Sequence, residues 1–327
     1  MPTQASPPQA APASTEPAAT PVPGPAAIET TGLTKVYGGR TVVDHLDLRL
    51  PAGVVAGFVG PNGAGKSTTL RMLLGLVRPS SGAGTVLGVP LERPGDYLPR
   101  VGALIEAPAF YPALSGRANL RVLATLSGVE EGQVLNVLET VGLTARADDR
   151  YRAYSLGMKQ RLGIAAALLT DPDLLILDEP TNGLDPQGII EMRELIRAIA
   201  DDGPTVLVSS HLLSEVQQVC DWLLMVEAGR QVYQGRTADL LAGGSRLRLR
   251  GEHAADLPAL ADLLRRRGLE PERDGAALLL PDGTIGDGEV AAISREAAGA
   301  GITLVELART AASLEERYGA LVAGGVR

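Results

Sequence analysis

Gly60-Pro61-Asn62-Gly63-Ala64-Gly65-Lys66-Ser67-Thr68 decides the fold. It fits G-x-x-x-x-G-K-[ST], follows the apolar run Val54 to Val59, and precedes the helix-periodic Leu70, Met72, Leu73 and Leu76, as a strand, a loop and a helix require. Gly63 and Gly65 let backbone N–H groups turn inward around phosphate oxygens, and the following helix points its positive end at the same anion. Lys66 would neutralise the β and γ phosphates, and Ser67 would ligate Mg²⁺.

Downstream, Leu174 to Leu177 form an apolar run bounded by Asp173 and by Asp178-Glu179-Pro180. The run predicts a short buried parallel strand that delivers two carboxylates at its carboxyl end, where open α/β sheets bind ligands. Asp178 is placed to hold Mg²⁺, and Glu179 to polarise an attacking water as general base. In isolation two adjacent acids also fit a solvated loop; their position after an apolar strand downstream of a phosphate loop favours the site.

Working outward, residues 1–27 are mostly Pro and Ala with a single charge, Glu16, and predict a disordered tail lacking the basic leader and apolar core of a secretory signal. From Ile28 the pattern becomes regular. Leu46, Leu48 and Leu50 alternate with polar residues, predicting an antiparallel β entry that leads into the phosphate-loop strand. Between Ser115 and Leu143 the apolar positions Leu120, Leu123, Leu126, Val134, Leu135, Val137, Leu138, Val141 and Leu143 take helical spacing, predicting an inserted helical subdomain over about 107–168. A helix after Ser155, the acidic strand, a helix through Met192, Leu195 and Ile196, and the apolar strand Thr205 to Ser209 continue the α/β alternation of a mainly parallel sheet. A hairpin turning at Glu227-Ala228-Gly229-Arg230 closes this domain, 28–241, and Ala242-Gly243-Gly244-Ser245 reads as a linker. Beyond it, 245–327 alternates strands at Leu247 to Leu249, Ala276 to Leu280 and Ile302 to Leu307 with helices near Leu257 to Arg267, Val290 to Ala298 and Ser313 to Val322. That pattern predicts a small accessory α+β domain.

Composition narrows the function. The 327 residues carry a net charge of −8, which argues against a nucleic-acid partner. One cysteine, Cys220, read on a helix, excludes an internal disulfide and predicts a buried structural thiol. No apolar stretch reaches the roughly 20 residues that cross a bilayer.

Taken in order, GPNGAGKST, the segment Tyr154-Ser155-Leu156-Gly157-Met158 within YSLGMKQRL, LLILDEP, Asn182-Gly183-Leu184-Asp185 and His211 resemble the nucleotide-binding subunit of ATP-binding cassette (ABC) transporters over Ile28 to Leu241. The resemblance implies a P-loop α/β cassette in which Tyr37 stacks on adenine, Ser155 and Gly157 touch the γ-phosphate of ATP held by a second copy of the chain, Asp185 sits in the inter-subunit loop, and His211 is the switch histidine. Each residue also has a plainer reading: Tyr37 as a surface strand aromatic, Ser155 as a helix N-cap, His211 as a structural histidine. Two positions depart from the family pattern. The signature LSGGQ reads Tyr154-Ser155-Leu156-Gly157-Met158 here, and Glu106 stands where the loop between core and helical subdomain usually carries Gln, adding a carboxylate near the expected Mg²⁺. Glu106-Ala107-Pro108-Ala109-Phe110-Tyr111-Pro112 together with YSLGMKQRL looks like the bacitracin and lantibiotic-immunity exporters, and Ser313 to Tyr318 looks like the ending of these and of daunorubicin-resistance subunits.

The function implied is an ATPase that binds ATP and Mg²⁺ and powers a separate membrane permease, lying peripherally at the cytoplasmic face of the membrane through that partner. The alternative, a non-transport ABC ATPase acting on ribosomes or nucleic acid, calls for two cassettes or a coiled coil splitting one. This chain has one P-loop, and 112 positions separate Lys66 from Asp178. A GTPase would carry an N-K-x-D guanine motif, which is missing.

Overall fold

The computed structural model describes residues 24–105, 110–242, 246–281, 285–310 and 313–325. Strand β1 (Ala26–Tyr37) turns through Gly38-Gly39 into β2 (Arg40–Leu46), pairs near its start with β3 (Arg49–Pro51), and meets β5 (Ser81–Val86) on its other edge. Next come β4 (Val55–Val59), α1 (Lys66–Leu73), β5 (Ser81–Val86), β6 (Val89–Pro90) and α2 (Pro94–Tyr97). Strands β2, β1, β5 and β6, with β3 on β1, form the antiparallel entry sheet.

The chain continues through β7 (Val101–Leu104), α3 (Gly116–Ser127), α4 (Glu131–Thr140), α5 (Leu156–Leu168), β8 (Leu174–Asp178), α6 (Pro186–Asp201), β9 (Thr205–Ser210), α7 (Leu213–Val219), β10 (Trp222–Glu227), β11 (Arg230–Arg236) and α8 (Thr237–Ala242). A six-stranded sheet runs β11-β10-β4-β9-β8-β7, parallel except for the β10–β11 hairpin. Strands β4, β8, β9 and β10 are buried on both faces, which explains their unbroken apolar runs, whereas the edge strand β11 is at most half-buried. In β4, Val55 and Val59 enter one core while Ala56 and Phe58 enter the other; in β8, Leu175 and Leu177 alternate in the same way with Leu174 and Ile176. The first core lies beneath α3 to α7, and the second lies between the sheet, α1 and the entry strands.

The helical segment differs from its sequence reading in detail. Leu120, Val134, Val137, Leu138, Val141 and Leu143 are buried, but Leu126 is 79% and Leu135 47% exposed. Leu126 lies six positions beyond Leu120, about 240° around the helix, and therefore faces away from the stripe. Cys220 is likewise not helical: α7 ends at Val219, and Cys220 is extended and buried, its thiol raised in pKa chiefly by burial.

The C-terminal part runs β12 (Arg246–Gly251), α9 (Leu257–Arg266), β13 (Glu272–Asp274), β14 (Ala277–Pro281), α10 (Asp287–Gly299), β15 (Leu304–Thr310) and α11 (Leu314–Gly325). An antiparallel sheet ordered β13-β14-β12-β15 shares its own core with α9 and α10. On the open face of β12, Arg246, Arg248 and Arg250 are bridged by Glu272, Asp274 and Glu306. Helix α11 follows β15 in sequence, yet Leu314, Tyr318 and Leu321 pack into the cassette core rather than that of the small sheet.

Candidate functional site

The phosphate loop links β4 to α1 and is wedged between two backbone segments. A Cβ on Gly60 would lie 2.3 Å from the Val226 carbonyl; one on Gly65, whose φ is +99°, would lie 2.7 Å from the Val42 carbonyl. Neither position admits a side chain. Gly65 is also the N-cap of α1 and supplies no capping side chain, so the first-turn N–H groups face the loop as anion donors. Lys66, 6% exposed, donates from Nζ to the Gly60 carbonyl at 2.6 Å and lies 3.4 Å from Oε1 of Glu179.

Asp178 and Glu179 emerge at the carboxyl end of β8, and Ser209 and His211 at that of β9, beside the loop that follows β4. Glu179 has φ +50°, an uncommon conformation for a residue with a side chain, held by surrounding bonds. Its N–H donates to the Ser209 carbonyl at 3.2 Å and to Ser209 Oγ at 3.0 Å, while Ser209 Oγ donates to the Asp178 carboxylate. His211 Nδ1 lies 2.8 Å from Glu179 Oε2. The Glu179 carboxylate is thereby spanned by a cation on one oxygen and an imidazole on the other, a geometry suited to orienting a base. Ser209, fully buried, is a residue the sequence reading missed: it sat as the last letter of an apolar strand, and only the pairing of β8 with β9 shows that its hydroxyl fixes both acids.

A second group gathers elsewhere. Ser155 caps α5, its Oγ accepting from the Met158 N–H at 3.2 Å, and Asp185 caps α6, accepting from Gly188 at 2.9 Å. Together with Gly157, Gly183 and Leu184 they line a cleft of about 490 Å³ whose lining includes no residue of the P-loop. Tyr37 ends β1, 47% exposed, with Lys35 Nζ 4.9 Å from its ring centroid. Glu106 lies outside the described residues.

Ser67, in the first turn of α1, and Asp178, at the carboxyl end of β8, fit Mg²⁺. Ser67 offers a hydroxyl and Asp178 a carboxylate, hard oxygen donors of the kind that hold Mg²⁺ with few protein ligands, the rest coming from substrate phosphates. No group of three or more His, Cys, Asp or Glu able to hold a metal occurs among the described residues.

Fold and site together define a P-loop nucleoside triphosphatase. Residues 43–182 match the sequence pattern of the family described as ABC transporter. The chain is 37% identical over 305 residues to the bacitracin transport ATP-binding protein BcrA of Enterococcus faecalis, covering 91% of this chain and 97% of that one. It is 48% identical over 206 residues to BcrA of Bacillus licheniformis, covering 62% and 67% respectively. A solved structure described as the ATP binding subunit of an ABC transporter superposes with a TM-score of 0.59 at 30% identity, covering 65% of this chain and 91% of that chain. The chain belongs to the ATP-binding subunits of ABC transporters. It is an ATPase that binds ATP and powers a membrane permease carried on another chain. Among the described residues no helix is long and apolar enough to cross a membrane.

Proposed function

We propose that this subunit drives export of an antibiotic, peptide or other amphiphilic compound through its permease, bound peripherally at the cytoplasmic face of the membrane. The Lys66–Glu179–His211 cluster carries the reading of the site. Residues Gly60 to Thr68 wrap the phosphates, with Lys66 drawn from the Gly60 carbonyl to the β and γ oxygens. Glu179 takes a proton from the attacking water, and His211 holds that carboxylate and meets the γ-phosphate. Ser67 and Asp178, with Glu106 as a further carboxylate, would hold Mg²⁺, whose charge would offset that of the phosphates. Tyr37 stacks on the adenine.

The separation of Ser155, Gly157 and Asp185 from the chain's own P-loop supports a sandwich of two copies, each completing the other's site. The export direction and the class of cargo rest on similarity to bacitracin transport proteins. The test is the mass of Glu179→Gln with ATP and Mg²⁺, read by light scattering. A dimer that binds ATP with little turnover is expected; a monomer under saturating ATP, or rapid steady-state hydrolysis, would overturn the reading.

A further inference from the structure

Among the described residues, helix α11 hydrogen-bonds to the cassette from Leu314 and from Tyr318, and each of the two leads to a different half of the hydrolytic site. At its start the Leu314 N–H donates to Gln217 Oε1 at 3.0 Å. Gln217 lies on α7, the two-turn helix that follows His211. Two positions earlier, Glu215 Oε2 on the same helix accepts from Thr181 Oγ1 at 2.6 Å, and Thr181 is two residues past Glu179. The first contact therefore reaches the segments bearing the candidate base and switch histidine.

One helical turn further, on the same face of α11, Tyr318 Oη donates to the Glu227 carboxylate and lies 3.4 Å from the Val226 carbonyl. The turn that follows grips the phosphate loop. The Gly229 N–H donates to the Ala64 carbonyl at 3.1 Å, its carbonyl accepts from the Asp44 N–H at 2.8 Å, and the Val226 carbonyl is the group pressed against Gly60. The second contact therefore reaches the phosphate cradle.

Leu314 is fully buried, and Tyr318 and Leu321 pack into the cassette core beside α7, α8 and β11. Burial first, and then the Glu227 hydrogen bond and charge, hold the Tyr318 hydroxyl well above the usual phenol range, so it remains a donor.

We propose that α11 is a strap that sets the spacing between the phosphate loop and the base-bearing strand, with Gln217 and Tyr318 as its positioning residues. The proposal rests on the roles given above to Lys66, Glu179 and His211. The two contacts have separable consequences. Loosening Gln217 frees the Thr181 and His211 segments and lowers kcat; loosening Tyr318 frees the hairpin that braces the P-loop and raises KM for ATP.

The experiment uses the full chain and measures kcat, KM and Tm for Gln217→Leu, Gln217→Glu and Tyr318→Phe. Gln217→Glu keeps an acceptor in place and puts a negative charge at a helix N-terminus, where it is favourable. Expected are a roughly two- to tenfold fall in kcat for Gln217→Leu with KM little changed, recovery of kcat in Gln217→Glu, and a rise in KM of similar size for Tyr318→Phe; these are changes one hydrogen bond can produce. Unaltered kcat and KM in both disruptive variants, or losses that follow Tm alone without the kcat-against-KM split or the Glu rescue, overturn the strap. Glu179→Gln is measured alongside. If it is inactive while the strap variants behave as wild type, the strap alone fails; if it turns over normally, the site assignment beneath the strap fails.

Discussion

His211 Nδ1 stands 2.8 Å from Oε2 of Glu179, and the other carboxylate oxygen lies 3.4 Å from Lys66 Nζ, so two side chains from separate parts of the sequence orient one carboxylate. Removing the imidazole leaves the acid chemistry present but the carboxylate held on one side only. For His211→Ala a fall in kcat of about tenfold or more is expected with KM for ATP little altered; for Glu179→Gln the fall reaches roughly 10²- to 10⁴-fold, the range of a lost general base. Steady-state ATPase assays on both variants check the order, and a His211→Ala variant with wild-type kcat would remove the histidine from the site.

The role proposed for Lys66 is to bind phosphate rather than to move a proton. Its ammonium is buried and satisfied by the Gly60 carbonyl and the Glu179 carboxylate, so it is preorganised at the loop it would serve. Lys66→Ala removes a charge-assisted hydrogen bond to phosphate and should weaken ATP binding by roughly ten- to a hundredfold. Equilibrium titration with a fluorescent ATP analogue reads this directly; unchanged affinity would remove Lys66 from phosphate binding.

Ser209 joins the two acids: its hydroxyl donates to Asp178 and accepts from the N–H of Glu179, a residue held at φ +50°. Ser209→Ala leaves that N–H with the Ser209 carbonyl alone and Asp178 without its donor. A loss of about 1–3 kcal/mol in unfolding free energy is expected from the unsatisfied groups. A fall in kcat should accompany it as Glu179 relaxes toward an ordinary backbone conformation. Urea denaturation and ATPase assays separate the two effects, and a variant matching wild type in both would show that the hydroxyl is dispensable.

What could be read in advance follows the physics of each signal. Strands β4, β8 and β9 are buried on both faces, so their apolar runs announce them, and the P-loop carries its glycine and lysine spacing openly. Strand β13 is different: Glu272, Arg273 and Asp274 are all exposed, and no apolar alternation marks it. The helical spacing around Leu314 and Leu321 gives a helix with a buried face but cannot say against what; the packing of α11 on the cassette is a tertiary fact. The same holds for Ser209, whose partners lie on a neighbouring strand.

Ser155 lines a cleft with Gly157 and Asp185 that no P-loop residue enters. If that cleft receives the γ-phosphate of ATP held by a second copy, Ser155→Arg fills it while leaving the chain's own nucleotide loop intact. The substitution also removes a helix cap, at about 1 kcal/mol of stability. ATP binding by the monomer should persist while nucleotide-driven dimerisation is lost, as read by light scattering of Ser155→Arg in a Glu179→Gln background. A dimer of unchanged affinity would detach the signature segment from the interface.

Asp221 ties the start of β4, and so the strand that carries the P-loop, to α6. Its Oδ2 accepts from the Val55 N–H at 3.2 Å and from Arg197 Nη1 at 2.9 Å, and its Oδ1 from Arg197 Nη2 at 2.8 Å. Burial pushes the carboxyl upward, but the Arg197 hydrogen bonds, the Val55 amide and the Arg197 charge outweigh it and hold Asp221 below its ordinary 3.8. With the folded value below the unfolded one, the stabilisation is present above about pH 4 and is lost as pH falls through the folded value. Both partners are nearly half exposed, so the contribution belongs at the scale of a surface pair, about 1 kcal/mol or less. Asp221→Asn keeps the shape but not the charge. It should lower the urea midpoint modestly at pH 7 and show a shallower further loss than wild type between pH 4 and pH 3, where the native protein must protonate a carboxylate that the variant lacks. Urea midpoints across pH 7, 5, 4 and 3 measure this, and parallel curves for the two proteins would mean that the Arg197–Asp221 pair does not set the acid limb of stability.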